Sequence, residues 1–187
     1  MTTFMFDGDH DAGGKIKMAV PADVVSCAYF SPCRQYRYEL HRRWRPHEPP
    51  RAVMFIMLNP STATETIDDP TVRKCRRYAQ QWDFNTLIVT NIMAYRATQP
   101  KALLSVADPV GPENLSRIHT LIKMQRPLVI CAWGRPPPKL SYAETQIKKL
   151  LMDCDPHVLR LNMAGGPWHP LYLPSLLTPL RWSDIGE

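Results

Sequence analysis

The chain of 187 residues is long enough for one domain with a real hydrophobic core, and its 44% hydrophobic content excludes an intrinsically disordered protein. Its net charge of +6 fits a polyanionic partner, although many soluble proteins are mildly basic. No run approaches the roughly 20 apolar residues of a membrane span, and the N-terminus lacks the pattern of a secretory signal, so we expect a cytoplasmic protein.

The cysteines give no support for a disulfide framework or a zinc ribbon, because they are five in number, irregularly spaced and without a C-x-x-C pair. An iron–sulfur site at Cys27 and Cys33 is an alternative that their spacing supports poorly. The sequence also lacks a Walker loop and a G-x-G-x-x-G motif. We therefore expect no metal, no nucleotide and no other cofactor.

The N-terminal part of the chain divides into two segments. Residues 1–20 are polar and contain glycine, which predicts a flexible segment before a single domain spanning residues 21–187. Within residues 26–45, Tyr36, Tyr38 and Leu40 alternate with polar residues, Arg37 among them. This period of two predicts an antiparallel edge hairpin with one wet face.

Residues 51–58 form the first predicted buried strand, and the Asn59-Pro60 pair ends it sharply. Proline cannot extend a sheet, and it biases the preceding residue toward an extended conformation. An amide side chain is therefore fixed just beyond a core strand, either to close a turn or to bind a ligand.

Asp69 and Pro70 are typical of the N-cap and first residue of a helix, which is predicted to run to about Trp82. Its apolar stripe comprises Val72, Cys75, Ala79 and Trp82. The opposite face is basic and includes Arg73. Such a face is either solvated or in contact with DNA.

Helices and strands alternate in the rest of the chain. Strands are predicted at 87–91, 128–133 and 157–161, and helices at 112–125 and 140–152. This order predicts an α/β fold of right-handed βαβ units with a central, mostly parallel four-stranded sheet. The carboxyl ends of parallel strands share one edge, where ligands bind, so Asn59, Asn91, Gly134 and the 165–169 loop are expected to converge.

An ordered set of motifs follows these strand ends: M-L-N-P-S-T-A at 57–63, D-P-T at 69–71, a strand ending in Asn91, W-G at 133–134 and P-x-H-P-L-Y at 167–172. Together they cover about residues 50–175 and resemble the uracil-DNA glycosylase superfamily, most closely a bacterial and phage branch of it. The resemblance implies a three-layer α/β sandwich.

The resemblance also implies roles for individual residues. Asn59 would hold the attacking water, Asn91 would read the base edge, and His169 would donate a hydrogen bond to the base. Ser61 stands where uracil-specific enzymes have a tyrosine that blocks the 5-position of the base, so a 5-substituted pyrimidine could enter. Tyr95 and Trp168 are candidates for stacking on that base.

The remaining expected contacts are with DNA, and they come from Arg73, Arg96, Lys101, Arg135, Lys139, Leu171 and Tyr172. The loop reads His169-Pro170-Leu171-Tyr172 in place of the superfamily's H-P-S-P, which weakens the prediction of a minor-groove role. Asp68 or Asp69 is a reserve candidate for activating water, although Asp69 is more simply the helix cap.

The predicted function is that of a monomeric DNA glycosylase, which flips a modified or damaged pyrimidine out of double-stranded DNA and excises it to leave an abasic site. Hydroxymethylated or glucosylated phage cytosine is one such base, and antiphage defence one such role. The alternatives are repair of uracil or mismatched thymine, a noncatalytic DNA- or nucleotide-binding module, and a hydrolase of modified nucleosides.

Overall fold

The structure, a computed structural model, describes residues 17–183 and has an α/β fold built on a mixed sheet. Nine strands lie within these residues: β1 Met18–Ala19, β2 Val25–Phe30, β3 Arg37–Arg43, β4 Ala52–Met57, β5 Ile67–Asp68, β6 Thr86–Asn91, β7 Leu128–Cys131, β8 His157–Val158 and β9 Leu180–Arg181. The α/β class predicted from the sequence is therefore confirmed.

Seven of these strands form one sheet in the order β2-β3-β6-β4-β7-β8-β9, while β1 and β5 pair separately. Strand β4 pairs in parallel with β6 and with β7, and β7 pairs in parallel with β8. The β2, β3 and β9 strands join in antiparallel pairings. The carboxyl ends of β4, β6 and β7 therefore lie on one edge.

Helices cover both faces of the sheet. Helix α1 spans Pro70–Gln81, α2 Asn114–Gln125 and α3 Ser141–Leu150. Alternate residues of β4 enter two different core clusters, because successive strand side chains point to opposite faces. Helix α1 packs in one cluster, and α2 and α3 pack in the other.

Helix α1 begins as its sequence predicts. Asp69 is the N-cap, and its Oδ1 accepts a hydrogen bond from the backbone N–H of Val72 at 2.9 Å. Val72, Cys75 and Ala79 are buried, and Trp82 packs at the C-cap. The predicted stripe is confirmed.

The fourth predicted strand is shorter than expected. Strand β8 holds only His157 and Val158, because the chain turns soon afterwards. The Oδ1 of Asn162 accepts hydrogen bonds from the backbone N–H groups of Ala164 and Gly166. These bonds close a turn, so the extended strand does not continue to residue 161.

The hairpin formed by β2 and β3 differs from its prediction. Strand β2 is the edge and alternates in exposure, but β3 lies inside the sheet between β2 and β6. The prediction that the polar residues of this stretch lie on a wet face is wrong for Arg37, and also for Glu39 two positions later, since both are buried. Arg117 of α2 forms an ion pair with Glu39, with 3.2 Å between Nη1 of Arg117 and Oε1 of Glu39.

The predicted flexible segment 1–20 falls mostly outside the described residues, which begin at Lys17. Within it, Met18–Ala19 pairs with Ile67–Asp68. No helix in residues 17–183 combines the length and the apolar character that crossing a membrane requires.

Candidate functional site

A cavity of about 450 Å³ opens at the carboxyl ends of β4 and β7. Residues 57–59 line it from the end of β4, and Trp133 and Gly134 follow β7. The first turn of α1 and the 168–172 loop provide the other walls. Segments that the sequence predicted to converge do line this cavity.

Asn59 lines the cavity with its amide held in one orientation. Its Nδ2 donates to the backbone oxygen of Pro60 at 3.0 Å and to that of Ala97 at 2.7 Å. Because these two bonds use both amide hydrogens, the Oδ1 atom is the one left to accept a hydrogen bond. Asn59 is thus an oriented acceptor.

His169 contributes a donor to the same cavity. Its Nδ1 accepts from the backbone N–H of Leu171 at 3.4 Å, which places the proton of the neutral ring on Nε2. Burial lowers the pKa of His169 to about 4. The ring is therefore neutral near pH 7, with an N–H group free to donate.

Arg37 is a buried cation in the cavity wall, with only 2% of its surface exposed. Its Nη1 donates to the backbone oxygen of Ala63 at 3.1 Å and its Nη2 to Oδ1 of Asn91 at 3.4 Å. Burial lowers the pKa of Arg37 to about 10, while the charge of Asp69 opposes that change. The guanidinium therefore stays charged at neutral pH.

A break in the strand pairing directs Arg37 toward the cavity. The register between β2 and β3 shifts where Tyr29 pairs with Glu39 and Phe30 pairs with Arg37, which leaves Tyr38 as an extra residue. An extra residue in one strand changes which face the flanking side chains occupy. Tyr38 faces Arg117 of α2, whereas Arg37 reaches the opposite side of the sheet.

Asp69 also lines the cavity, although its Oδ1 caps helix α1. It is 6% exposed. Asp68, the other reserve candidate, lies elsewhere: it is buried against Arg42, with the ion pair at 2.8 Å. Of the two carboxylates, only Asp69 borders the cavity.

Asn91 does not line the cavity. It is buried at the end of β6, and its Oδ1 accepts from Arg37, which does line the cavity. Its backbone oxygen accepts from the side chain of Asn114 at 2.8 Å. The amide is therefore placed to hold Arg37.

The other predicted residues divide by position. Ser61, Arg135, Trp168, Leu171 and Tyr172 line the cavity. Three of them are exposed and form its mouth, namely Arg135, Trp168 and Tyr172.

Tyr95 and Arg96 line a neighbouring groove of about 420 Å³, which shares Ser61, Ala97 and Thr98 with the cavity. The Tyr95 ring packs edge-on against Tyr36, with 5.5 Å between ring centres. Arg96 lies over the ring of Phe30 at 5.0 Å. Neither residue reaches the cavity itself.

Arg73, Lys101 and Lys139 do not line the cavity either. Arg73 lies in α1, Lys101 in a 3₁₀ turn at Pro100–Ser105, and Lys139 in a second such turn at Pro138–Leu140. Lys101 and Lys139 are exposed.

Sequence reasoning missed Arg37 and Asn162 as cavity residues, whereas Trp133 belongs to the strand ends that were expected to converge. Trp133 is 1% exposed and packs on Trp182, and Asn162 closes the turn after β8. The W-G motif gave a signal for Trp133. Arg37 gave none, since its alternating surroundings indicated a wet strand face.

A family model described as a protein of unknown function, DUF1643, matches residues 37–171. The chain belongs to the DUF1643 family. The DUF1643 match begins at Arg37 and ends at Leu171, so it includes every cavity-lining residue except Tyr172. No curated protein and no solved structure matches the chain.

Proposed function

We propose that this DUF1643 protein is a monofunctional DNA glycosylase that excises a modified pyrimidine and leaves an abasic site. We also propose that the protein acts on double-stranded DNA and that it belongs to the uracil-DNA glycosylase superfamily. The observation that carries the proposal is the orientation of Asn59, whose Nδ2 is bound to the main chain so that Oδ1 is left to accept, in the lining of a cavity that His169 also lines.

Hydrolysis of an N-glycosidic bond needs an oriented water on one side and a donor to the departing base on the other. The C1′–N1 bond breaks with its electron pair going to the base, and the water oxygen bonds to C1′. One water proton then goes to solvent or to the base. Such a dissociative reaction depends on positioning and electrostatics more than on a strong base.

Asn59 suits the water-holding role. An amide cannot act as a strong base, but Oδ1 can accept a hydrogen bond from water and fix where its lone pair points. The two backbone bonds of Nδ2, at 3.0 and 2.7 Å, prevent the amide from turning over. The side chain is therefore preorganised before substrate binds.

His169 suits the leaving-group role. A neutral imidazole in the cavity lining, with its proton on Nε2, can donate to the O2 atom of a pyrimidine as negative charge develops there. A preorganised donor of this kind supplies about 3 kcal/mol. The pKa of about 4 keeps the ring neutral across the physiological range.

Ser61 supports a 5-substituted base as the substrate. Its small side chain lies at the junction of the cavity and the neighbouring groove, so a substituent has room to extend. Hydroxymethylated or glucosylated cytosine has such a substituent. Excision of these phage bases would give the protein a role in antiphage defence.

The strand order supports a glycosylase-like arrangement, in which four strands, β6-β4-β7-β8, form a parallel centre between the β2–β3 hairpin and β9. Helices on both faces make three layers. Asn59 follows the carboxyl end of β4, and His169 lies in the loop after β8, which supports the roles proposed for them.

The test is an excision assay on duplexes containing uracil, mismatched thymine, hydroxymethylcytosine or its glucosylated form, read by alkaline strand scission. We expect abasic sites on at least one 5-substituted substrate. Asn59→Ala should lower the rate at least about 100-fold with duplex affinity retained. Wild-type turnover in this variant would remove Asn59 from the mechanism.

Ser61→Tyr is the matched specificity variant, because it enlarges one side chain of the cavity lining and leaves Asn59 and His169 themselves unchanged. It should suppress excision of the 5-substituted base more than that of uracil. Free nucleosides and mononucleotides form a further arm. Absence of abasic sites on every duplex, with turnover of a free nucleoside and no salt-sensitive duplex affinity, would replace the proposal with a nucleoside hydrolase.

A further inference from the structure

The Arg37 guanidinium makes no ion pair within residues 17–183, although the charge of Asp69, in the same cavity lining, favours its charged form. Its two hydrogen bonds go to neutral oxygens of Ala63 and Asn91. Its Nε is buried without a hydrogen-bond partner. A buried charge held in this way is costly, and an anionic partner removes much of that cost.

The cavity as a whole favours negative charge. Its lining has two guanidinium groups, Arg37 and Arg135, against the single carboxylate of Asp69. That carboxylate already accepts the N-cap bond from Val72. The first turn of α1 also borders the cavity, and the N-terminal end of a helix carries partial positive charge.

The two cations lie at different depths. Arg135 is exposed at the mouth, where it can meet a backbone phosphate, whereas Arg37 is buried in the wall. If a DNA strand stays outside the cavity and only its flipped nucleotide enters, the base comes closer to Arg37 than the phosphate does. The position of Arg37 favours a charged group on the base.

We infer that Arg37 is a specificity-determining residue that binds an oxyanion of the ligand, carried most favourably on a pyrimidine ring as a carboxylate. The substrate class is then an acidic pyrimidine, which deepens the proposed function and rests on it for the identity of the base. A phosphate group offers the same chemistry from a second source.

Binding to the intact protein separates these sources. Calorimetry would compare 5-carboxyuracil with 5-hydroxymethyluracil, which has the same ring but no charge, and thymidine 5′-monophosphate with thymidine. A charge-assisted bond predicts at least about tenfold tighter binding of the anionic member of one pair. Preference in the first pair places the oxyanion on the base, and preference in the second places it on the phosphate.

Arg37→Met should abolish that preference, and Arg37→Lys should retain part of it, because lysine keeps the charge without the planar fork. Arg181→Met is the matched control, because Arg181 is exposed, pairs with Asp155 and is absent from the cavity lining, and it should leave the carboxypyrimidine preference unchanged. Circular dichroism would confirm that each variant folds. If Arg37→Met does not fold, the affinities of the wild-type protein and of Arg37→Lys for the charged and neutral ligands still test the inference.

Equal affinity for the charged and neutral members of both pairs in the wild-type protein would overturn the inference, as would a preference that survives Arg37→Met. These outcomes are separate from the excision assay. Excision of neutral bases alone would leave the proposed function standing without this role for Arg37. Arg37-dependent oxyanion binding with no excision would support the role while the glycosylase proposal fails.

Discussion

At the scale of single residues, Asn59 and His169 are both oriented by hydrogen bonds to the main chain. Each gives some of its hydrogen-bonding capacity to the main chain, Nδ2 of Asn59 to Pro60 and Ala97, and Nδ1 of His169 to the N–H of Leu171. The main chain thereby decides which polar atom each side chain presents to the cavity. An acceptor and a donor result from two residues that could each have served as either.

The depressed pKa of His169 gives a prediction for stability. The unfolded chain takes up a proton near the ordinary histidine value of 6.5, and the folded chain takes it up near 4, so stability falls as the pH drops through that window. Between pH 7 and pH 5 we expect this one group to remove about 2 kcal/mol.

Urea unfolding of the wild-type protein and of His169→Gln at both pH values would measure this effect. The glutamine variant cannot titrate, so it should lose about 2 kcal/mol less than the wild type between pH 7 and pH 5. Equal losses in the two proteins would mean that His169 titrates near its ordinary value.

Helix α1 joins stability and site chemistry at the scale of elements. Its cap, Asp69, satisfies the N–H of Val72 and also borders the cavity, so the helix start and one cavity wall are the same residue. A cap requires a side-chain oxygen, which asparagine supplies as well as aspartate does. Activation of water, in contrast, requires the carboxylate.

Two substitutions at Asp69 separate these roles. Asp69→Ala should lower the free energy of unfolding by about 1 kcal/mol or more, and Asp69→Asn should lower it by less, because asparagine keeps the cap oxygen and loses only the charge that favours the Arg37 guanidinium. If Asn59 alone holds the water, Asp69→Asn keeps most of the excision rate. A stable Asp69→Asn variant with a loss of about 100-fold or more would assign water activation to Asp69.

The sequence was most informative about elements that are encoded locally. Helix α1 was predictable because Asp69, Pro70 and a regular stripe are sufficient to define it, and β4 because a continuous apolar run ends at Asn59-Pro60. The inward position of Arg37 was not predictable. It depends on one register shift between β2 and β3, which alternation in a single strand cannot reveal.

A buried ion pair ties separate elements together at the scale of the whole molecule. Arg42 of β3 and Asp68 of β5 lie 2.8 Å apart with almost no exposure, and Arg76 of α1 approaches the same carboxylate at 3.5 Å. Arg42 also donates to the backbone oxygen of Thr64 at 2.7 Å. The hairpin, the segment after β4 and α1 are therefore held together by polar contacts.

Removing one partner of this pair should be costly. Asp68→Asn leaves the buried charge of Arg42 uncompensated, so we expect the free energy of unfolding to fall by about 3 kcal/mol or more. Asp155→Ala breaks the exposed pair with Arg181 and should cost less than about 1 kcal/mol. Urea titrations of both variants would compare them, and a similar small loss in each would show that Arg42 is satisfied by its backbone partners alone.

Long-range arrangement limited what the sequence could predict about the site. The convergence of Asn59, Trp133 and His169 followed from parallel strands, and the structure does bring them to one cavity. The exclusion of Asn91 from that cavity did not follow, since the Oδ1 of Asn91 is bound to Arg37, and it is Arg37 that lines the cavity. Strand order alone does not say which neighbour lines a cavity.

The span of the cavity lining along the chain has a consequence for synthesis. Arg37 and Asn59 leave the ribosome early, but His169 and Tyr172 come more than a hundred residues later. Contacts between such distant segments form late in folding, and domains fold as the chain emerges. A partly made chain therefore holds Asn59 without His169, so the acceptor and donor of the proposed reaction come together only after the 168–172 loop has been synthesised.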